Sequence, residues 1–133
     1  MNNKSKKILS EISPGELIDK ISILEIKLVK IKDEKSLSVI KKEYQSLTET
    51  KKLYINSTEE LEKLINEIKE INLKLWDIED NKRICEKNKN FGEIFIDLSR
   101  KVYLNNDKRA KIKSEINKML GSNIKEIKKY SNY

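Results

Sequence analysis

The chain has no histidine, one cysteine, one proline, three glycines and one alanine among its 133 residues. Without histidine, mixed Cys/His zinc sites, Cys–His dyads and Ser-His-Asp triads are excluded. The lone Cys85 rules out an intramolecular disulfide, is consistent with a reducing compartment, and reads as a small buried hydrophobe late in a helix. So few turn formers argue against an all-β protein, and also against collagen or a Gly/Pro-rich disordered chain. The glycines lie too far apart for a phosphate-cradling loop. No apolar run reaches membrane-spanning length, and Ser10 and Glu11 follow Ile8 and Leu9 at once, so no signal-peptide core follows the basic start MNNKSKK. A soluble cytoplasmic protein with no membrane association and no cofactor is expected.

What is abundant is charge. The 29 Lys and Arg residues against 22 Asp and Glu give a net charge of +7. Residues 108–133 hold eight basic and two acidic groups, which is +6 of that total. A basic end attracts anionic partners through counterion release. Aromatic interleaving is thin there, with only Tyr130 and Tyr133 near the end, and this weighs against nucleic-acid binding. Lysine, isoleucine and asparagine are favoured throughout, as codon drift would produce.

The length is that of one domain, residues 1–133, and suffices to bury roughly two thirds of the unfolded surface. Ile8, Ser10 and Ile12 alternate, as in a short extended arm over residues 1–12. Ser13-Pro14-Gly15-Glu16 reads as a capping box with proline at the first helical position, and Ile12 and Leu17 stand where a hydrophobic staple would. Leu17, Ile21, Leu24, Leu28 and Ile31 then recur at alternating spacings of four and three, predicting a helix from Pro14 to about Lys32. Leu37, Ile40, Tyr44 and Leu47 predict a second helix ending near Tyr54. Ser57 with Glu60 caps a third, whose seam is Leu61, Leu64, Ile68, Ile71, Leu75 and Ile78 and which reaches about Lys87. Asn90 with Glu93 caps a fourth, with the seam Phe91, Ile94, Leu98, Val102, Asn105, Arg109, Ile112, Ile116 and Met119, stopped at Gly121. The pair Asn105-Asn106 is a possible break. Ile124, Ile127 and Tyr130 recur in a short basic tail over residues 122–133 that could itself be helical. The fold class is therefore all-α, an antiparallel bundle of three to four long helices over residues 13–121 with coiled-coil-like packing. Ile23 and Ile26 fall off the first seam, so the arm or a second subunit is expected to cover them.

Polar residues interrupt the apolar seams at six positions: Glu25, Asn72, Glu79, Arg83, Asn105 and Arg109. Two of the chain's three arginines occupy such positions in a sequence that otherwise uses lysine, and only arginine offers a planar fork for bidentate bonds. Glu79 and Arg83 are spaced as an i, i+4 pair, and Arg109 requires a carboxylate from a facing helix, for which Glu25 is the candidate. One reading is a structural layer that fixes register. The other is a pocket in which Arg83 and Arg109 hold a phosphate or carboxylate, Asn72 and Asn105 orient it, and Glu25 or Glu79 acts as acid or base. Glu16 with Asp19, and Asp77 with Glu79 and Asp80, place carboxylates within a turn of each other, but such spacing is routine on solvated helix faces and no metal site is expected. Arg100, Tyr103 and Asp107 form a stripe read as exterior.

The run Ser-Pro-Gly-Glu-Leu-Ile-Asp-Lys at 13–20, Ile-Leu-Glu-Ile-Lys at 23–27, Leu-Trp-Asp-Ile-Glu-Asp with Arg83, Val-Tyr at 102–103, Asn-Asp-Lys-Arg-Ala at 106–110, Ile-Asn at 116–117 and Gly-Ser at 121–122 resembles a family of short uncharacterised bacterial and phage proteins known only as a domain of unknown function. The resemblance covers the chain from about Ser13 to Tyr133, and its motifs include Glu25, Glu79, Arg83 and Arg109. It implies no assigned activity, and a setting near genes for surface-polysaccharide synthesis that favours a phosphosugar or sugar-nucleotide ligand. Three functional expectations follow. The first is a non-enzymatic protein-interaction or accessory module, for instance a homodimer through Ile23 and Ile26. The second is a protein or enzyme that holds an anionic small molecule between helices, and the third is a nucleic-acid binder acting through the basic end.

Overall fold

The capping serine starts the fold as its position predicts. In a computed structural model that describes residues 6–129, the Ser13 hydroxyl accepts from the Glu16 amide at 3.1 Å and Pro14 opens helix α1, Pro14–Lys30. The reciprocal half of the capping box is absent, because the Glu16 carboxylate turns to Lys113 and Lys20. Helix α2, Glu34–Tyr54, is capped by Asp33, which accepts from the amide and hydroxyl of Ser36; these two bonds hold its carboxyl below the usual value. Helix α3, Glu59–Lys87, is capped by Thr58 rather than Ser57, whose hydroxyl donates to Glu62 instead. Helix α4, Glu93–Met119, has Gly92 at its cap position with no side-chain bond, while Asn90 accepts from the Gly92 amide.

Asn105-Asn106 does not break α4, because the Asn105 carboxamide donates to the Lys101 carbonyl within the helix. Gly121 ends the element as expected. It adopts φ +64° while the amides of Gly121 and Ser122 bond back to Lys118 and Asn117, a Schellman closure. After it, residues 122–129 are not helical, and Tyr130 and Tyr133 lie outside the described residues, as does the start of the basic N-terminus.

The described residues form an all-α fold of four helices with no strand. Helix α1 is the only element that packs against all three others; α3 and α4 form a long antiparallel pair, and α2 touches α1 alone. The core follows the third seam closely. Leu61, Leu64, Ile68, Ile71 and Leu75 are buried with Ile18, Ile112 and Ile116. Helix α2 buries no residue fully, and its stripe of Leu37, Ile40, Tyr44 and Leu47 is half-covered. The 29 residues of α3 and 27 of α4 outrun the 17 of α1. The early seam positions Phe91 and Ile94 are therefore exposed at the tip of the α3–α4 hairpin.

One expectation fails here for a packing reason. Ile26 is 3% exposed within the single chain, and Ile23 is half-buried beside it, so neither an arm nor a second subunit is needed to cover them. Of the arm only residues 6–12 are described; they form neither helix nor strand, and Ile8 and Leu9 are about 90% exposed.

At the end of α3, Lys89 takes φ +53° while the amides of Lys89 and Asn90 bond back to Glu86 and Cys85. This closure has the same form as the one at Gly121, but with a side chain where glycine is preferred. Replacing Lys89 with Gly is expected to stabilise the protein by about 1 kcal/mol in chemical denaturation, since the left-handed conformation costs an L-residue that much; a loss of stability would contradict the reading of this turn.

Candidate functional site

Alongside its apolar seam, α1 carries a second stripe, in which the small or polar residues Gly15, Asp19 and Ser22 are followed by Ile26. All four are buried. Gly15 lies so close to α4 that an added Cβ would stand 2.6 Å from the Lys113 carbonyl oxygen and 2.7 Å from Asn117 Oδ1. Its amide donates to that same Oδ1 at 2.8 Å. One turn on, the Asp19 carboxylate is 1% exposed and is held from two other helices. Arg109 of α4 donates through Nε at 2.9 and 3.1 Å to its two oxygens and through Nη2 at 2.5 Å to Oδ2. Asn72 of α3 donates to Oδ1 at 2.9 Å and to the Ser22 hydroxyl at 3.3 Å. Lys113 Nζ stands 3.6 Å from Oδ2 and bonds Glu16 at 2.6 Å and Glu126 at 3.3 Å.

The charge states follow from this geometry. Burial alone would raise the Asp19 carboxyl, but the Arg109 and Asn72 bonds and the charges of Arg109 and Lys113 outweigh it and hold the group below its ordinary value. The bonds to Asp19 push Arg109 upward against its own burial. Burial pulls Lys113 down, yet its bond to Glu16 and the nearby carboxylates leave it raised. Asp19 is thus an ionised buried carboxylate and Arg109 its committed partner.

Beside this network, where α1 runs along α3, opens a cleft of about 320 Å³. Its floor is Ile23, Ile26 and Leu75, its walls are Asn72 and Trp76, and its charged rim is Glu79, Asp80, Arg83 and Arg109. Of the six polar positions singled out in the sequence, the structure brings together Asn72, Glu79, Arg83 and Arg109. Glu25 is elsewhere, meeting the Tyr44 hydroxyl at 3.4 Å and Lys69 at 3.7 Å. There, burial together with the charge and bond of Glu25 pushes the Tyr44 phenol up. Asn105 is spent on its own helix. The partner of Arg109 is accordingly Asp19 and not Glu25, and Glu25 cannot act as acid or base on anything held in the cleft. Glu79 and Arg83 do not form the expected pair: both are exposed, and Arg83 makes no ion pair or hydrogen bond with any described residue.

Asp19, Ser22, Lys113 and Asn117 escaped the seam argument. The signal was present as spacing, since Gly15, Asp19, Ser22 and Ile26 are separated by four, three and four residues, and Arg109, Lys113 and Asn117 by four. Its spacing from Glu16 alone makes Asp19 look like one of two carboxylates on a solvated helix face. Among the described residues no cluster of three or more potential metal ligands forms.

The fold and cleft define a small all-helical protein built on a buried ion network, and among the described residues no helix is long and apolar enough to cross a membrane. Residues 8–133 match a family of unknown function, DUF6165, and the chain belongs to that family. No curated protein and no solved structure matches it significantly.

The lowered Asp19 and raised Lys113 fix the pH dependence. Because the folded state binds the Asp19 proton less tightly than the unfolded chain does, its stabilisation is present above the ordinary value of 3.8 and is lost as pH falls below it. Lys113 behaves oppositely, with stabilisation present below 10.5 and lost as pH rises past its folded value. Denaturation across pH is expected to show a loss on the acid side that is diminished in Asp19→Asn; an identical acid slope in that variant would contradict the assignment.

Proposed function

We propose that the protein binds a small molecule in the α1–α3–α4 cleft, one that combines a phosphate or carboxylate with an apolar or planar body. The observation that carries this reading is Arg83, a cation with no partner among the described residues, which lines the same cleft as Arg109 and the chain's one tryptophan. Arg109 is fixed by Asp19, so its side chain is preorganised rather than free to collapse, and binding would not have to order it. Trp76 with Ile23 and Leu75 offers an apolar platform, and the volume lies at the small end for ligand pockets. Glu79 and Asp80 at the rim accept hydrogen bonds from hydroxyl or ammonium groups and disfavour a bare polyanion. Binding rather than catalysis is the activity that these groups support, since Glu25 is remote and no nucleophile lines the cleft. A cytoplasmic setting belongs to the same reading and rests on the single unpaired Cys85.

Trp76 reports on its own cleft, which makes the test direct. Phenyl phosphate, which joins a ring to a phosphate, is expected to change the intrinsic tryptophan fluorescence saturably with a Kd below about 1 mM. Arg83→Leu should weaken that binding about tenfold or more while leaving unfolding unchanged, because Arg83 supports nothing else. If neither phenyl phosphate nor benzoate gives a saturable response, or if Arg83→Leu binds as well as the parent, the reading is wrong.

A further inference from the structure

After the Gly121 turn the chain doubles back along α4, so that residues 125–128 face residues 110–118 across a hollow of about 240 Å³. Lys113 anchors the return by bonding Glu126 at 3.3 Å, and Lys128 meets the same carboxylate at 3.7 Å. Five lysines line the hollow, at 111, 113, 118, 125 and 128, against the single carboxylate of Glu126. Lys113 and Lys128 are engaged with that carboxylate. Lys111, Lys118 and Lys125 have no partner among the described residues. The lining of this hollow is therefore strongly positive, five lysines against one carboxylate, and an anion placed there would be attracted by all of them. This is the reverse of the first cleft, where two acids and two arginines are mixed.

We infer that this hollow is an oligophosphate-binding site, distinct from the α1–α3–α4 cleft. A hollow whose lining carries five lysines and one carboxylate suits a compact, multiply charged anion. Lysine meets phosphate as a rotatable point charge, without the planar geometry that arginine would impose on a carboxylate. A di- or triphosphate carries the charge required in a body that fits. Among the described residues no aromatic side chain lines the hollow to stack a base, which favours a free oligophosphate over a nucleic-acid strand. Lys113 touches both the hollow and Asp19, so an anion bound there sits next to the network that fixes Arg109.

Inorganic tripolyphosphate, titrated by calorimetry into the full chain in moderate salt, tests the assignment. A single saturable site is expected, with a raised melting temperature. Lys118→Glu combined with Lys125→Glu should weaken it at least tenfold, with the unliganded protein as stable as before because neither lysine holds the fold. The same charge change placed on α2, Lys41→Glu with Lys42→Glu, should leave the affinity within about twofold of the parent, since α2 touches α1 alone and none of its residues lines the hollow. The inference is overturned if no saturation is reached at millimolar tripolyphosphate, or if the α2 variant loses as much affinity as the groove variant. It is also overturned if a single-stranded oligonucleotide binds more tightly than tripolyphosphate and loses that binding in the groove variant.

Discussion

A carboxylate taken almost entirely out of water must be compensated on every side, and Asp19 is that carboxylate. Desolvating an ion costs several kcal/mol even after relaxation, so it is tolerated only where charge and hydrogen bonds are returned to it. Arg109 and Lys113 return the charge and Asn72 an additional bond, each from a helix other than α1. The arrangement works in one register only. Sliding α1 by a turn along α4 would take the carboxylate from one of its two cations and from Asn72. It would also remove Gly15 from the one place where the backbones of α1 and α4 approach too closely for a Cβ. Because α1 alone touches every other helix, fixing its register fixes the bundle.

The candidate site inherits its rigidity from the same contact. Arg109 gives Nε and Nη2 to Asp19 and Nη1 to Asn106 at 3.3 Å, so its position at the cleft is determined before any ligand arrives. Arg83, three turns beyond Asn72 on α3, has no such tie to any described residue. One arginine is thus architecture that borders a cleft, and the other is a side chain that architecture does not use. The structural and functional readings of the polar layer are therefore divided between two residues, with the core of the layer satisfied internally and its edge open.

Much of the bundle was legible because a buried helix face repeats. The α3 seam from Leu61 to Ile78 is buried as its spacing implies, and Ser13-Pro14 and Gly121 mark helix ends by mechanisms local to a few residues. What was not legible depends on partners distant in sequence. Glu25 and Asp19 are both acids on α1, but six residues place them about 120° apart around the helix, so only one can face Arg109. Periodicity within α1 does not say on which side α4 will lie. The caps at Thr58 and Gly92 were missed by one or two residues because adjacent polar groups compete for the same amides. The burial of Ile26 was missed because a central helix has more than one covered face, and a single-seam reading assigns it only one. The tail after Gly121 has helical spacing, yet it is held by Lys113 and Glu126 in a non-helical path, a contact that no local pattern encodes.

The central claim is that Asp19 and Arg109 stabilise the fold as a pair, each costly without the other. A double-mutant cycle of Asp19→Leu and Arg109→Leu, read by chemical denaturation, tests it most directly. The expected result is a loss of about 3 to 5 kcal/mol for Arg109→Leu, which leaves a buried carboxylate short of its main partner, and a double variant more stable than that single one. The coupling should be on the order of 2 to 3 kcal/mol. Additive losses, with the double variant as unstable as the sum of the singles, would show that the two residues act independently and that the register of α1 is set by something else.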